Sequence, residues 1–559
     1  MTTSLADPAT FMIERTPSAH DSPLLLKELL ASGVRRAPRQ EIVYREDVRH
    51  DYRTFAARVA RLAYVLESLG VGRGSTVGVL DWDSHRYLEC YFAIPGMGAV
   101  LHMVNIRLSA EKILYTINHA DDDLLLVHVD FLPLVETIHS GIKRQVKIVV
   151  IGDGTDCPLS SELPIAGEYE SLLAKGGDEY MFPDLPEDTR ATTFYTSGTT
   201  GDPKGVYFSH RQLVLHTLAA AATVGTARVQ GRFDREDVYM PITPMFHVHA
   251  WGFPFVATML GMKQVYPGRY EPDRLLRSIE KEGVTFSHCV PTILHMLLES
   301  DPSNSVDLGR WKVILGGAAT PAKLVEAAIG RGIDLFTGYG MSETCPIMTI
   351  AQLTPQMCAL SSEEQLAIRL KAGMPLPLVE LRILDGEDRI LPDDGSAGEI
   401  AVRAPWLTQG YFKDPENSEK LWRGGYLHTG DIGVVGPDGF LKITDRIKDV
   451  IKSGGEWVSS IEIEDLISRC PGVMEAAVIG IADAKWGERP LAIVAARAEG
   501  PRPTEADICN VLKEHAASGM ISPYAVPRDF VFTDILEKTS VGKIDKKALR
   551  EKYGRTASA

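Results

Sequence analysis

The segment TTFYTSGTTGDPKGVYFSH (residues 192–210) constrains this chain more than any other. A β-prone stretch runs into Thr196, Ser197, Gly198, Thr199, Thr200 and Gly201, and Pro203, Lys204 and Gly205 follow. Glycines let the backbone turn tightly and aim its N–H groups inward, while the hydroxyls and Lys204 add donors and positive charge. The combination predicts a phosphate-cradling loop at the end of a strand. It is not a Walker A loop, because no Gly-Lys pair here is followed by Ser or Thr.

The rest of the chain supplies a scaffold for such a loop. Residues 51–70 place Phe55, Val59, Leu62, Ala63 and Leu66 at helical spacing and stop at Gly70. STVGVL (75–80), LLLVHV (124–129) and KIVVIG (147–152) read as short buried strands. Strands alternating with helices predict an α/β chain with mixed, largely parallel sheets. The stretches 152–190 and 385–398, punctuated by Gly, Asp and Pro, are expected as surface loops. Near residue 448 the pattern changes: GFLKITDRI is strand-like, KDVIKSGGEWVSS reads as a Gly-rich turn, IEIEDLISRC as a helix and EAAVIGI as a strand. The expected organisation is a large body over 1–447 and a small α+β lid over 448–559.

Composition narrows the function classes. The net charge of −15 repels phosphate backbones and anionic lipid, so nucleic acid is excluded as a main partner and membrane contact is at most peripheral. Hydrophobic residues at 45% and charged residues at 24% are globular proportions. Seven scattered cysteines without a C-x-x-C predict reduced thiols. The opening MTTSLADPATFMIERTP lacks a basic region followed by an apolar one, and no apolar run is long enough for a membrane span, so a cytoplasmic protein is expected. No G-x-S-x-G elbow occurs, so no serine acyl-hydrolase is signalled. His247 and His249 form an H-x-H, but no third ligand of matching spacing accompanies them, and a metal site is not predicted there.

The 192–210 segment resembles the signature loop of the acyl-adenylate-forming superfamily. PMFHVHAWG (244–252), GGAAT (316–320), TGYGMSET (337–344), YLHTGD (426–431), DRIKDVIKSGGEW (445–457) and TSVGKID (539–545) agree with it in order and spacing. Within that superfamily the chain is most similar to bacterial medium- and long-chain fatty acid:CoA ligases. The resemblance implies a two-step reaction: a carboxylate and ATP form an acyl-adenylate, and coenzyme A then takes the acyl group. It implies Lys543 as the catalytic lysine, Glu343 and Thr196 as the Mg2+ pair, and Ser197 to Gly201 with Lys204 around the phosphates. Thr344 contacts the α-phosphate in this scheme, Tyr339 between Gly338 and Gly340 faces adenine, and Gly317 and Ala318 form the opposite wall. Asp431 holds the ribose with Arg446 nearby.

For the second step the resemblance implies Lys448 as a hinge, with Gly454, Gly455, Lys452 and Trp457 along the pantetheine path. His247 stands at the junction of acyl tunnel and CoA channel, Trp251 gates the tunnel and Gly316 lines it. The similar enzymes usually carry proline where this chain has Glu537. The acyl pocket is expected from 245–255, 288–292, 315–319 and 338–346, which hold no Lys or Arg to pair with a second carboxylate. A monocarboxylic aliphatic substrate is expected from this, and the resemblance implies one of medium to long chain. The alternatives are a cyclic or aromatic acid, and an acyl-AMP ligase that serves another acceptor. The resemblance also implies a homodimer formed through the N-terminal domain.

Overall fold

The computed structural model describes residues 13–153, 162–196, 202–228, 231–453, 456–483, 485–497, 502–538 and 544–554. The helix expected over 51–70 spans Tyr52–Ser68. Asp51 caps it by accepting from Thr54 N at 2.7 Å, and Gly70 ends the turn beyond it at φ +95°. Phe55, Val59, Leu62, Ala63 and Leu66 are all buried, as their spacing requires.

Among the described residues there are four sheets, two of them large. The seven-stranded sheet runs Ile165–Glu168, Lys147–Ile151, Leu124–His128, Thr76–Leu80, Val100–Met103, Arg190–Tyr195 and Gly205–Ser209. It is parallel except at its last pair, where Arg190–Tyr195 and Gly205–Ser209 run antiparallel and carry the Gly-rich loop between them. The nine-stranded sheet has a parallel centre that includes Val238–Pro241, Phe286–Cys289, Lys312–Leu315 and Asp334–Gly340. Parallel strands bring their carboxyl ends to one edge, where ligand crevices of open α/β sheets form. Thr243, Val290 and Gly316 follow those strands, and Tyr339 and Gly340 end the last of them.

A four-stranded antiparallel sheet of Glu380–Leu384, Gly398–Arg403, Leu427–Val435 and Leu441–Arg446 precedes residue 448. The expectation of mixed, largely parallel sheets allowed such a sheet but did not place it. Its strands follow one another along the chain and pair with their sequence neighbours, as in a meander. Beyond it, Ile451–Ser453, Glu456–Val458, Val473–Asp483, Gly487–Ala496 and Asp529–Thr533 form a five-stranded sheet. That sheet has a core of its own, with Ile463, Leu466, Val478, Val494 and Ile508 in one cluster and Ile479, Ile493 and Leu549 in another.

Strands occur both in the stretch read as a Gly-rich turn and in one expected as a surface loop. KDVIKSGGEWVSS forms a hairpin in which Lys452 pairs with Trp457. Within 152–190, Ile165–Glu168 adds an edge strand and Tyr169–Leu173 a short helix. Glu168 caps that helix by accepting from Glu170 N at 2.9 Å and Ser171 N at 2.7 Å, and the buried Tyr169 hydroxyl donates to Glu89 at 2.6 Å. Composition marked the stretch as punctuated, but the cap and the buried aromatic decide its structure. Among the described residues no helix is long and apolar enough to cross a membrane.

Candidate active site

Thr196 stands at the carboxyl end of Arg190–Tyr195. Its N–H donates to Lys204 O at 3.0 Å, which closes the base of the Gly-rich loop. Ser197, Gly198, Thr199, Thr200 and Gly201 lie outside the described residues. The Lys204 ammonium sits 4.6 Å from the centre of the Tyr411 ring, a cation–π contact. Tyr411 in turn donates its hydroxyl to Glu343 Oε1 at 2.7 Å. Lys204, Tyr411 and Glu343 therefore form one connected unit. Beside it a half-open cavity of about 240 Å3 is lined by Lys204, Gly205, Tyr411, Phe412, Tyr115 and His119.

Glu343 is buried, and desolvation raises its carboxyl above the usual carboxylate range. The Tyr411 hydroxyl and the charges on Lys204 and Arg446 pull it back only in part. Thr344, next to it, is fully buried, and its hydroxyl donates to Pro346 O while Met341 N donates to it at 3.0 Å. The α-phosphate contact expected of Thr344 therefore competes with its hold on the 341–346 turn. Gly340 is needed in that turn because a Cβ there would meet Pro346 O at 1.8 Å.

Tyr339 ends Asp334–Gly340 and donates its hydroxyl to Asp431 Oδ2 at 2.7 Å. The other Asp431 oxygen pairs with Arg446 Nε at 3.2 Å across the antiparallel register of Leu427–Val435 and Leu441–Arg446. An aromatic face, a carboxylate and a guanidinium thus share one corner. Gly316 and Gly317 follow Lys312–Leu315 on the facing loop, Gly317 at φ +80°, and Ala318 is exposed.

The PMFHVHAWG segment is anchored from below. Asp83 accepts from Met245 N at 2.9 Å and from the Tyr270 hydroxyl, and burial pushes its carboxyl up to about 7. His247 is half-buried and starts a left-handed turn in which Val248, His249, Ala250, Trp251 and Gly252 all have φ between +45° and +79°. Non-glycine residues resist this region by roughly 1–2 kcal/mol each, so the surroundings must hold the turn. His249 is one such hold: Phe194, Phe208 and Phe255 surround its ring, and Nε2 lies 2.8 Å from Thr192 Oγ1. The turn presses Trp251 toward Gly316, where a Cβ would meet Trp251 Cη2 at 3.0 Å and Gly338 O at 2.8 Å.

Lys448 is exposed two residues beyond Arg446. Lys452 donates its backbone N–H to Glu488 at 2.8 Å. Gly454, Gly455 and Lys543 lie outside the described residues, as does the Trp457 side chain. The helix Lys546–Tyr553 begins close after Lys543, and Lys546 reaches Glu464 and the Ser460 hydroxyl, each at 2.7 Å. Ser460 also donates to Asp445 Oδ2, through its N–H at 2.6 Å and its hydroxyl at 2.8 Å. Asp445 precedes Arg446, so this chain of contacts ties the C-terminal helix to the corner formed by Tyr339, Asp431 and Arg446. Tyr411, Asp83, Asp445 and Ser460 were not singled out in the sequence. Asp445 and Ser460 lie at the ends of the quoted segments DRIKDVIKSGGEW and KDVIKSGGEWVSS, while Tyr411 and Asp83 act through contacts distant along the chain and carry no motif.

The AMP-binding enzyme family matches residues 30–412, and the AMP-binding enzyme C-terminal domain matches 462–543. The chain is 41% identical to a long-chain-fatty-acid–CoA ligase of Thermus thermophilus, over 95% of this chain and 96% of that one. It is 36% identical to a medium-chain-fatty-acid–CoA ligase of Ectopseudomonas oleovorans, over 91% of each. In fold it is similar to the crystal structure of an anthranilate CoA ligase in complex with anthranoyl-AMP, with a TM-score of 0.83, 24% identity, and coverage of 96% and 99%. This chain belongs to the AMP-binding enzyme family.

Proposed function

We propose that this protein is an AMP-forming fatty acid:CoA ligase acting on medium- to long-chain monocarboxylic acids. The observation that carries the reading is the 41% identity to a long-chain-fatty-acid–CoA ligase over 95% of the chain. The site agrees with it, since the segments expected around the acyl group hold no Lys or Arg for a second carboxylate.

In the first step a carboxylate oxygen attacks the α-phosphorus of ATP, the bond to the bridging oxygen breaks, and pyrophosphate leaves. Catalysis is mainly positioning and charge stabilisation. The loop from Thr196 to Lys204 takes the phosphates, and Lys543 bridges carboxylate and α-phosphate as charge gathers. Tyr339 faces adenine, with Gly317 and Ala318 opposite, and Asp431 and Arg446 take the ribose side. Glu343 and Thr196 fit a hard divalent cation: both offer oxygen, and Glu343 is a desolvated carboxylate incompletely compensated by its neighbours. Mg2+ held there supplies neutralisation of triphosphate charge.

In the second step the CoA sulfur attacks the acyl carbon, the C–O bond to AMP breaks, and the thiol proton leaves. The body, 1–447, stays with the adenylate while 448–559 turns about Lys448, withdraws Lys543, and presents Lys452, Gly454, Gly455 and Trp457 to pantetheine. His247 marks the meeting of the two channels, and Trp251 and Gly316 border the acyl chain. The assembly is a cytoplasmic homodimer.

ATP–pyrophosphate exchange tests the reading. Exchange that needs decanoate but not CoA, with AMP release that needs CoA, is the expected result. Exchange without any added acid contradicts it.

A further inference from the structure

His288 ends Phe286–Cys289 at the carboxyl edge of the nine-stranded sheet and is fully buried. It makes no ion pair among the described residues, and burial drops its imidazole to about 3, so the ring is neutral. Two contacts hold the ring and a third ties its backbone. Tyr239 Oη lies 2.7 Å from Nε2, Thr243 Oγ1 lies 3.1 Å from Nδ1, and Thr243 Oγ1 also lies 3.3 Å from the His288 carbonyl oxygen.

One arrangement of protons satisfies all three contacts. Tyr239 donates to Nε2, Nδ1–H donates to Thr243, and Thr243 donates to the carbonyl of His288. The ring is thereby a fixed flat surface with no proton left over. Trp251 lies on it, centroids 5.1 Å apart and planes 28° apart. Phe253, from the same segment, lies 5.4 Å from the ring at 26°.

Trp251 has reason to need such a support. Its backbone is in the left-handed turn, at φ +59°, and nothing in its own conformational preference keeps it there. Its indole edge abuts Gly316, where an added Cβ would meet Trp251 Cη2 at 3.0 Å and the Gly338 carbonyl at 2.8 Å, and Gly338 directly precedes Tyr339, whose hydroxyl is bound to Asp431. How far the indole leans toward Gly316 sets the room beside the nucleotide corner.

We propose that His288 is a positioning residue for acyl-chain length: held by Tyr239 and Thr243, it fixes Trp251 against Gly316 and so limits the chain that fits. The proposal rests on the fatty acid reading above and adds the element that tunes it. It implies that loosening His288 acts only through Trp251.

The test measures kcat/KM for hexanoate, decanoate and hexadecanoate with ATP and CoA. The proteins are the wild type, His288→Leu, His288→Phe and Tyr239→Phe, each also combined with Trp251→Ala. His288→Leu should raise the hexadecanoate-to-hexanoate ratio about tenfold, the size of effect a pocket wall exerts on chain length. His288→Phe keeps a flat ring but loses the hold of Tyr239 and Thr243, so its ratio should move in the same direction as that of His288→Leu, by a smaller factor. In the Trp251→Ala background His288→Leu should change the ratio less than about twofold, because coupled residues lose their separate effects. An unchanged ratio in His288→Leu, or an equal shift with and without Trp251, overturns the proposal. Should His288→Leu not fold, Tyr239→Phe removes a single hydroxyl, and its ratio must move in the same direction or the proposal falls. Wild type that makes no acyl-CoA from any of the three acids removes the fatty acid reading itself, a distinct outcome.

Discussion

Burial works against the charge on Glu343, and its neighbours offset only part of that cost. Tyr411 is the nearest of them, donating at 2.7 Å. A hydrogen bond to a buried carboxylate stabilises the ionised form, so its loss raises the pKa. Tyr411→Phe should therefore move the acidic limb of kcat/KM for ATP to higher pH by about one unit. A pH–rate series checks it, and a limb that moves the other way refutes the role. The two residues differed in legibility for a simple reason. Glu343 sits in TGYGMSET, a local pattern, whereas Tyr411 meets it from 68 positions along the chain. A sequence shows residue types and spacing, but not which side chains the fold brings together.

At the scale of elements, the left-handed turn at Val248–Gly252 was invisible in the sequence. PMFHVHAWG contains one glycine in that turn, and of the others only His249 is of a type enriched at positive φ, while nothing in Val248, Ala250 or Trp251 favours it. The aromatic surroundings of His249, the Asp83 anchor and the His288 support impose it. Gly252 is the one position there suited to its φ of +79°, and a Cβ would meet His216 Nδ1 at 2.8 Å. Gly252→Ala should lower stability by about 2 kcal/mol, read by denaturant unfolding. Helices and strands were easier to read: Tyr52–Ser68 and Thr76–Leu80 follow directly from apolar spacing. The antiparallel sheet before residue 448 was not, because half-buried strands give weaker patterns than fully buried ones.

Asp83 adds a pH dependence to the same element. Its folded pKa of about 7 lies above its ordinary value, so the folded chain holds a proton that the unfolded chain releases. The stability this group contributes is complete below about pH 4 and is lost as the pH rises through 7. The slope is about 1.4 kcal/mol per pH unit over that window. Asp83→Asn keeps an acceptor for Met245 N and cannot ionise. Its stability should fall less than that of wild type between pH 4 and 7, and parallel curves for the two proteins count against the assignment.

For the whole molecule, the two-step reading separates Lys543 from the thioester step. Lys543→Ala should lower acyl-CoA formation from acid and ATP by about a thousandfold, the scale of losing a main charge stabiliser. With acyl-AMP supplied directly, the same variant should form acyl-CoA within about threefold of wild type. Equal loss in both assays contradicts the separation. The contacts from Lys546 through Ser460 to Asp445 link the C-terminal helix to the strand Leu441–Arg446. The sequence marked the change of pattern near 448, but a contact network across it depends on three-dimensional placement alone.

The central claim is that this chain joins fatty acids to CoA through an adenylate. The most direct measurement is a carboxylate panel with ATP, magnesium and CoA, covering linear C4 to C18 acids, benzoate and cyclohexane carboxylate, with acyl-CoA identified by mass. Acyl-CoA formed with stoichiometric AMP and greatest for C6 to C16 acids is the predicted result. A maximum on the ring acids, or AMP formed without acyl-CoA, contradicts it.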